Sequence, residues 1–239
     1  MIRLDKFLCD NNIGTRSQVK DFIRRGQVTV NGSPAKKPEQ KIEEAADTVC
    51  FQGQRISYTK YVYYMLNKPE GVVSATNDNT AQTVLELLPA SCRKDVFPVG
   101  RLDKDTTGLL LLTDDGALAH DLLSPKKHVD KTYLVHPEHP LSEADLERLE
   151  AGVDIGEDVP TAPATATLTA EGDLLLTIHE GRFHQVKRML LAVGNGVLTL
   201  KRVRFGCLPL DPVLAPGAYR ELSEDEIEAL KELSKRKRS

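Results

Sequence analysis

The spacing of apolar residues changes several times along the 239-residue chain. Leu4, Phe7 and Leu8 fall at helical intervals. Val19, Phe22 and Ile23 do the same inside a segment predicted to start at Thr15, with Gln18 as its capping-box partner, and to stop at Gly26. Arg16, Lys20 and Arg24 follow at four-residue steps as a basic stripe beside that apolar face. Val28-Thr29-Val30 alternates into Asn31-Gly32, a strong signal for a tight hairpin. Residues 52–60 are polar and read as a linker.

Beyond it, Tyr61 to Leu66 is a continuous apolar run that predicts a strand turning at Asn67-Lys68-Pro69. Val84 to Leu88 suggests a short helix ended by Pro89. Leu109 to Leu112 are four consecutive leucines, the pattern of a central strand buried on both faces. Thr132 to Val135, Leu174 to His179 and Val197 to Val203 read as further strands. Helices are predicted from Ser142, from about His184, and from Ser223, where Glu226 completes a capping box. Strands outnumber helices without regular alternation, which predicts an α+β fold on a mixed, mostly antiparallel sheet. The expected division is a small domain over 1–58 and a larger one over 59–239, ending in a disordered basic tail, 235–239.

Composition narrows the class. With 40% hydrophobic and 28% charged residues, the chain is ordinary for a protein that buries a core. No apolar run approaches a membrane span, and the charged start Met1-Ile2-Arg3-Leu4-Asp5-Lys6 carries no leader, so a cytoplasmic monomer is expected. Cysteines 9, 50, 92 and 207 form no metal-ligand or disulfide pattern, and Pro137 breaks the one close histidine pair, His136 and His139. No metal or cofactor is expected. The net charge of −3 hides a segregation. Residues 1–41 hold nine basic groups against four acidic ones, and residues 182–204 hold six basic groups and no acid. Local positive fields of this kind suit phosphate.

The most informative stretch is Gly100-Arg101-Leu102-Asp103-Lys104-Asp105-Thr106-Thr107-Gly108, directly before the leucine run. It sets Asp103 at the mouth of a rigid apolar strand, where a carboxylate needs a partner to stay charged. A calcium loop is excluded, because its second half would have to supply oxygen ligands and is leucine instead. From spacing alone, a solvated turn feeding a strand explains the stretch equally well.

This segment resembles the aspartate motif of the RNA pseudouridine synthases, in particular the ribosomal small-subunit pseudouridine synthase A group. Three more segments match in order: Met65-Leu66-Asn67-Lys68-Pro69 with Gly71, Lys131-Thr132-Tyr133-Leu134-Val135, and Glu180-Gly181-Arg182-Phe183-His184-Gln185-Val186-Lys187-Arg188-Met189. Residues 1–58 resemble the RNA-binding module first recognised in ribosomal protein S4, with Arg3, Lys6, Arg16, Lys20 and Arg24 as expected RNA contacts.

The resemblance implies conversion of uridine to pseudouridine in ribosomal RNA, which needs no redox step, metal or cosubstrate. Asp103 would be the carboxylate acting on the ribose, as nucleophile or as base. Lys187, on the polar side of its helix with His184 and Arg188, would pair with that aspartate, and Tyr133 would lie against the uracil. Arg101 would contact phosphate or fill the gap left by an extruded nucleotide. Arg182, His184, Gln185 and Arg188 would hold the RNA backbone, with packing as the alternative for Gln185. Thr106-Thr107 and Ser124 to His128 favour 16S (small-subunit) over 23S (large-subunit) RNA as target. A noncatalytic assembly factor and a glycosidase are the other readings; the second lacks a well-supported partner carboxylate, since Asp105 is a weak candidate.

Overall fold

The computed structural model describes all residues except 12, 44, 45, 57–60, 90, 91, 93, 94, 125, 126 and 236–239. The end of the expected linker, part of the Ser124–His128 segment and most of the basic tail therefore lie outside the described residues. The chain divides into two compact units, one comprising Met1–Val62 and Pro89–Lys94 and one comprising Tyr63–Leu88 and Asp95–Ser239.

In the first unit, β1 (Ile2–Arg3) leads into α1 (Leu4–Asp10), followed by α2 (Arg16–Arg24). Thr15 and Gln18 form the capping box that the sequence predicts. The hairpin of β2 (Val28–Val30) and β3 (Ser33–Pro34) turns through Asn31 and Gly32, both at positive φ. Then β4 (Lys41–Ile42) pairs with β1, and β5 (Val49–Phe51) joins β2. Leu4, Phe7 and Leu8 meet Val19, Ile23, Val28 and Val49 in one apolar core. Residues 52–56 are not linker: Gln52 and Gly53 form a second positive-φ turn into β6 (Gln54–Arg55), and Ile56 packs on the core. Both β6 side chains are exposed, which is why the segment is polar.

The second unit is built on one nine-stranded sheet. Its strands are β7 (Tyr63–Lys68), β8 (Phe97–Pro98), β9 (Thr107–Thr113), β10 (Lys131–Pro137), β11 (Thr165–Leu168), β12 (Leu174–Ile178), β13 (Val197–Phe205), β14 (Leu208–Pro209) and β15 (Tyr219–Glu221). The path runs β11-β12-β10-β13-β9-β7-β15, and every pairing is antiparallel except β13 with β9. The leucine run lies in β9, between β7 and β13, and Leu109 to Leu112 are fully buried. Val84–Leu87 is a 3-10 turn. The helices are α3 (Gly116–Leu123), α4 (Glu143–Ala151), α5 (Gln185–Ala192) and α6 (Glu224–Lys235). Ser142 caps α4 through Asp145, and Ser223 caps α6 through Glu226. Lys235 ends α6 rather than opening a tail. The sequence reading missed α3, whose start is marked by the Asp115 side chain accepting from the Leu118 amide.

The parallel junction of β9 with β13 fixes how the segment before β9 is presented beside β13. There Gly108 takes φ +97°, and a Cβ on it would run into the backbone of Arg202 on β13. Glycine is required for the two strands to approach this closely.

Candidate active site

The segment 101–106 enters β9 through a turn closed by Thr106 N–H to the Asp103 carbonyl, at 3.1 Å. Its backbone is held from below by residues 68–74. Ser74 Oγ donates to the Leu102 carbonyl at 2.9 Å and accepts from the Leu102 amide at 3.0 Å. The Gly71 amide donates to the Lys104 carbonyl at 2.8 Å. Lys68 is fully buried, and its Nζ donates to the carbonyls of Thr106 (2.9 Å), Pro69 (3.1 Å) and Lys104 (3.3 Å). Burial pushes the pKa of this ammonium down to about 8, against the opposing pull of Asp105, Asp103 and Glu70.

Asp103 borders a cavity of about 670 Å3 whose wall also includes Arg101, Tyr133, Arg182, His184 and Gln185. Tyr133 is contributed by β10 and is 8% exposed. Two basic side chains approach Asp103: His184 Nε2 lies 3.6 Å from Oδ1, and Lys187 Nζ lies 3.9 Å from Oδ2. Lys187 differs from the expectation in its main partner. It donates to both oxygens of Asp105 at 2.6 Å, and these two residues stand outside the cavity wall. The turn at 103–106 brings both carboxylates within reach of one lysine. The Lys187 hydrogen bonds hold the Asp105 carboxyl below the usual carboxylate range, against a smaller opposing effect of burial.

Residues 62–192 match the RNA pseudouridylate synthase family, and residues 2–49 match the S4 domain. The chain belongs to the RNA pseudouridine synthase family. It is 48% identical over 236 residues to an uncharacterized RNA pseudouridine synthase of Bacillus subtilis (strain 168), covering 97% of this chain and 99% of the relative. It is 42% identical over 228 residues to ribosomal small subunit pseudouridine synthase A of Escherichia coli (strain K12), covering 95% and 98% of the two chains. A solved structure, "Crystal structure of pseudouridylate synthase", superposes with a TM-score of 0.69 at 40% identity, covering 96% of this chain and all of that one.

Three polar side chains of this pseudouridine synthase that the sequence assigned to RNA are engaged within the protein. Arg182 donates to the carbonyls of Val159 (2.7 Å) and Pro160 (2.9 Å) and to Glu180 (3.1 Å). Arg188 donates to Glu157 (2.6 Å), to the Phe183 carbonyl (3.0 Å) and to the Ile155 carbonyl. Together they fasten the loop around 155–160 to α5. Gln185 is 4% exposed and binds Glu180 Oε1 at 2.8 Å while accepting from the Arg182 amide at 2.9 Å, the packing alternative noted for it. Arg101 is exposed at the cavity wall.

His184 takes a left-handed backbone, φ +49°, immediately before α5, and its ring stacks on that of Phe183 at 3.8 Å. In the first unit Arg16, Lys20 and Arg24 are exposed along α2, Arg3 pairs with Asp5 at 2.7 Å, and Lys6 pairs with Asp10 at 2.8 Å. Among the described residues, no group of three or more His, Cys, Asp or Glu side chains could hold a metal, and no helix is long and apolar enough to cross a membrane.

Sequence reasoning gave no role to Lys68, Ser74, Lys131 or Arg202. A signal existed for the last two. Lys131 stands two positions before Tyr133 in a strand, and Arg202 two positions after the buried Leu200, so each occupies a core-facing position with a charge.

Proposed function

We propose that this synthase isomerises a specific uridine of small-subunit (16S) ribosomal RNA, with Asp103 as its catalytic carboxylate and the target nucleotide swung out of its stack. The observation that carries the reading is a cavity with Asp103 and Tyr133 in its wall and basic side chains 3.6 and 3.9 Å from the Asp103 carboxylate. Its volume, about 670 Å3, is in the range of roughly 300–1,000 Å3 usual for small-molecule sites. Extruding a nucleotide costs a few kcal/mol, which contacts along the RNA backbone offset. The small-subunit target is supported by 42% identity to a protein named ribosomal small subunit pseudouridine synthase A.

Asp103 acts on the ribose as the bond from C1′ to N1 of uracil breaks. Lys187 keeps its charge compensated, and Asp105 keeps Lys187 from closing fully on Asp103. Tyr133 faces the uracil while the base turns and rejoins C1′ through C5. The exposed stripe Arg16, Lys20 and Arg24 meets RNA phosphates outside the pocket.

The test maps pseudouridines across ribosomal RNA from cells with and without the protein, and from cells carrying Asp103→Asn. The expected result is loss of one small-subunit position in the absence of the protein and with Asp103→Asn, while the variant retains RNA affinity. A lost position in large-subunit RNA would overturn the target, and activity in Asp103→Asn would overturn the assignment of the carboxylate.

A further inference from the structure

Two further cations line the pocket beside Tyr133. Lys131 opens β10, and Arg202 on β13 is the register partner of Tyr133. All three line the cavity. Arg202 is only 1% exposed. Its Nε donates to the Leu109 carbonyl at 2.8 Å, its guanidinium lies 5.2 Å from the centre of the Phe205 ring, and its buried Nη2 has no acceptor. Lys131 Nζ donates to the Val129 carbonyl at 3.0 Å and lies 5.9 Å from the same ring.

A buried guanidinium with an orphaned N–H, beside a second cation, is costly to fold unless the charge acts on something else. The reaction supplies such a partner. When the C1′–N1 bond breaks, its electron pair leaves with the base, and uracil becomes an anion with charge shared over N1, O2 and O4. That anion must be held away from water until its C5 carbon attacks C1′. The new C–C bond uses the pair and leaves a double bond between N1 and C6; the C5 proton then departs to a base while N1 takes up a proton, so the ring ends neutral. Asp103 is negative and can only oppose charge on the base; the stabilising charge has to come from another wall.

We propose that Lys131 and Arg202 form a cationic floor that stabilises the departing uracil, Lys131 as the group that touches the base and Arg202 as a positioning residue that adds field from behind. The inference rests on reading the pocket as the uridine site. Lys131 stays protonated through the step, so atoms and electrons balance without a further reactant. Preorganised charge aimed at a group that becomes negative only during reaction is the kind that accelerates chemistry rather than binding.

The titration of Lys131 gives the floor a signature. Burial, with a smaller contribution from Arg202 on β13, pushes the pKa of its ammonium down to about 8 against the opposing pull of Asp130 beside it and Glu180 beyond β12. The floor loses the Lys131 charge as pH rises through about 8.

The experiment follows single-turnover cleavage of the glycosidic bond in small- and large-subunit ribosomal RNA transcripts made with uridine or with 5-fluorouridine. Fluorine stabilises the base anion and so reduces its need for the floor. Lys131→Met is expected to slow cleavage of uridine by about 100-fold and of 5-fluorouridine by less than about tenfold, with RNA affinity within about twofold. The wild-type rate is expected to decline above pH 8, and Lys131→Arg should keep the rate within about tenfold and abolish that decline. Equal losses on both RNAs, no loss on either, or a wild-type profile flat through pH 8 to 9.5 would each overturn the floor. The pH profile and Lys131→Arg decide the matter even if Lys131→Met fails to fold. Cleavage surviving Asp103→Asn would instead overturn the reading of the pocket, and the floor with it.

Discussion

Lys187 holds both carboxylate oxygens of Asp105 at 2.6 Å while standing 3.9 Å from Asp103. One ammonium thus serves two carboxylates two residues apart, and the exposed one takes the shorter bonds. Asp105→Asn should therefore leave the lysine charged but poorly anchored, and lower the single-turnover rate by about three- to tenfold. Lys187→Met removes the charge itself and should cost about 100-fold or more. Equal effects of the two substitutions, measured on the same RNA, would contradict this division of roles.

Lys68 supports the loop that carries Asp103. Lys68→Met would remove three hydrogen bonds, at about 1 kcal/mol each, leaving the Lys104 carbonyl to the Gly71 amide alone, but relieve the cost of burying an ammonium. The shift from 10.5 to about 8 in a fully buried group puts that relief at about 3 kcal/mol. The two effects nearly cancel, so the expected outcome is a melting temperature close to wild type and a rate lowered by about 100-fold as the loop loosens.

The same lysine predicts a dependence of stability on pH. Its pKa in the folded protein is lower than in the unfolded chain, so between about 8 and 10.5 the unfolded state binds more protons. Stability contributed by this residue therefore rises with pH across that window and is constant below it. Relative to Lys68→Met, the wild type should gain stability from pH 8 to 10, read from paired denaturant midpoints.

Gly108→Ala should destabilise the protein by about 3 kcal/mol or more, because it adds both a positive-φ penalty and a collision with the Arg202 backbone. Denaturant unfolding measures it. A loss below about 1 kcal/mol would mean the strands can move apart cheaply.

Replacing Arg16, Lys20 and Arg24 with glutamine should reduce the slope of log affinity against log salt by about two, and leave the rate at saturating RNA unchanged. The measurement is RNA binding across a salt series. An unchanged slope would remove this stripe from the RNA contacts.

Local signals in the sequence were reliable where neighbours in the chain decide the structure. The boxes at Thr15 and Ser223, the helix start at Ser142 and the turn at Asn31-Gly32 each depend on a few adjacent residues, and each formed. The leucine run announced its burial because a strand covered on both faces has no polar side. The site was legible only as motifs. Nothing in the spacing of Asp103, Asp105 and Lys187 says which carboxylate wins the lysine, since that depends on how α5 meets a turn 82 residues earlier. Likewise Arg182 and Arg188 look free in sequence because their acceptors are mostly backbone carbonyls at 155, 159, 160 and 183, which every residue possesses. Charges inside strands, such as Lys131 and Arg202, broke the alternation pattern, and such breaks mark where a pocket interrupts the core.

The parallel seam of β9 against β13 joins residues 93 positions apart, through Thr107 Oγ1 to the Leu200 carbonyl and Arg202 to the Leu109 carbonyl. So distant a closure is entropically expensive and comes slowly during folding. The loop bearing Asp103 and the strand bearing Arg202 meet only when it closes. A nascent or partly denatured chain can thus carry a folded RNA-gripping module while its chemistry is still unassembled, and catalytic competence becomes a report that the larger unit has completed its fold.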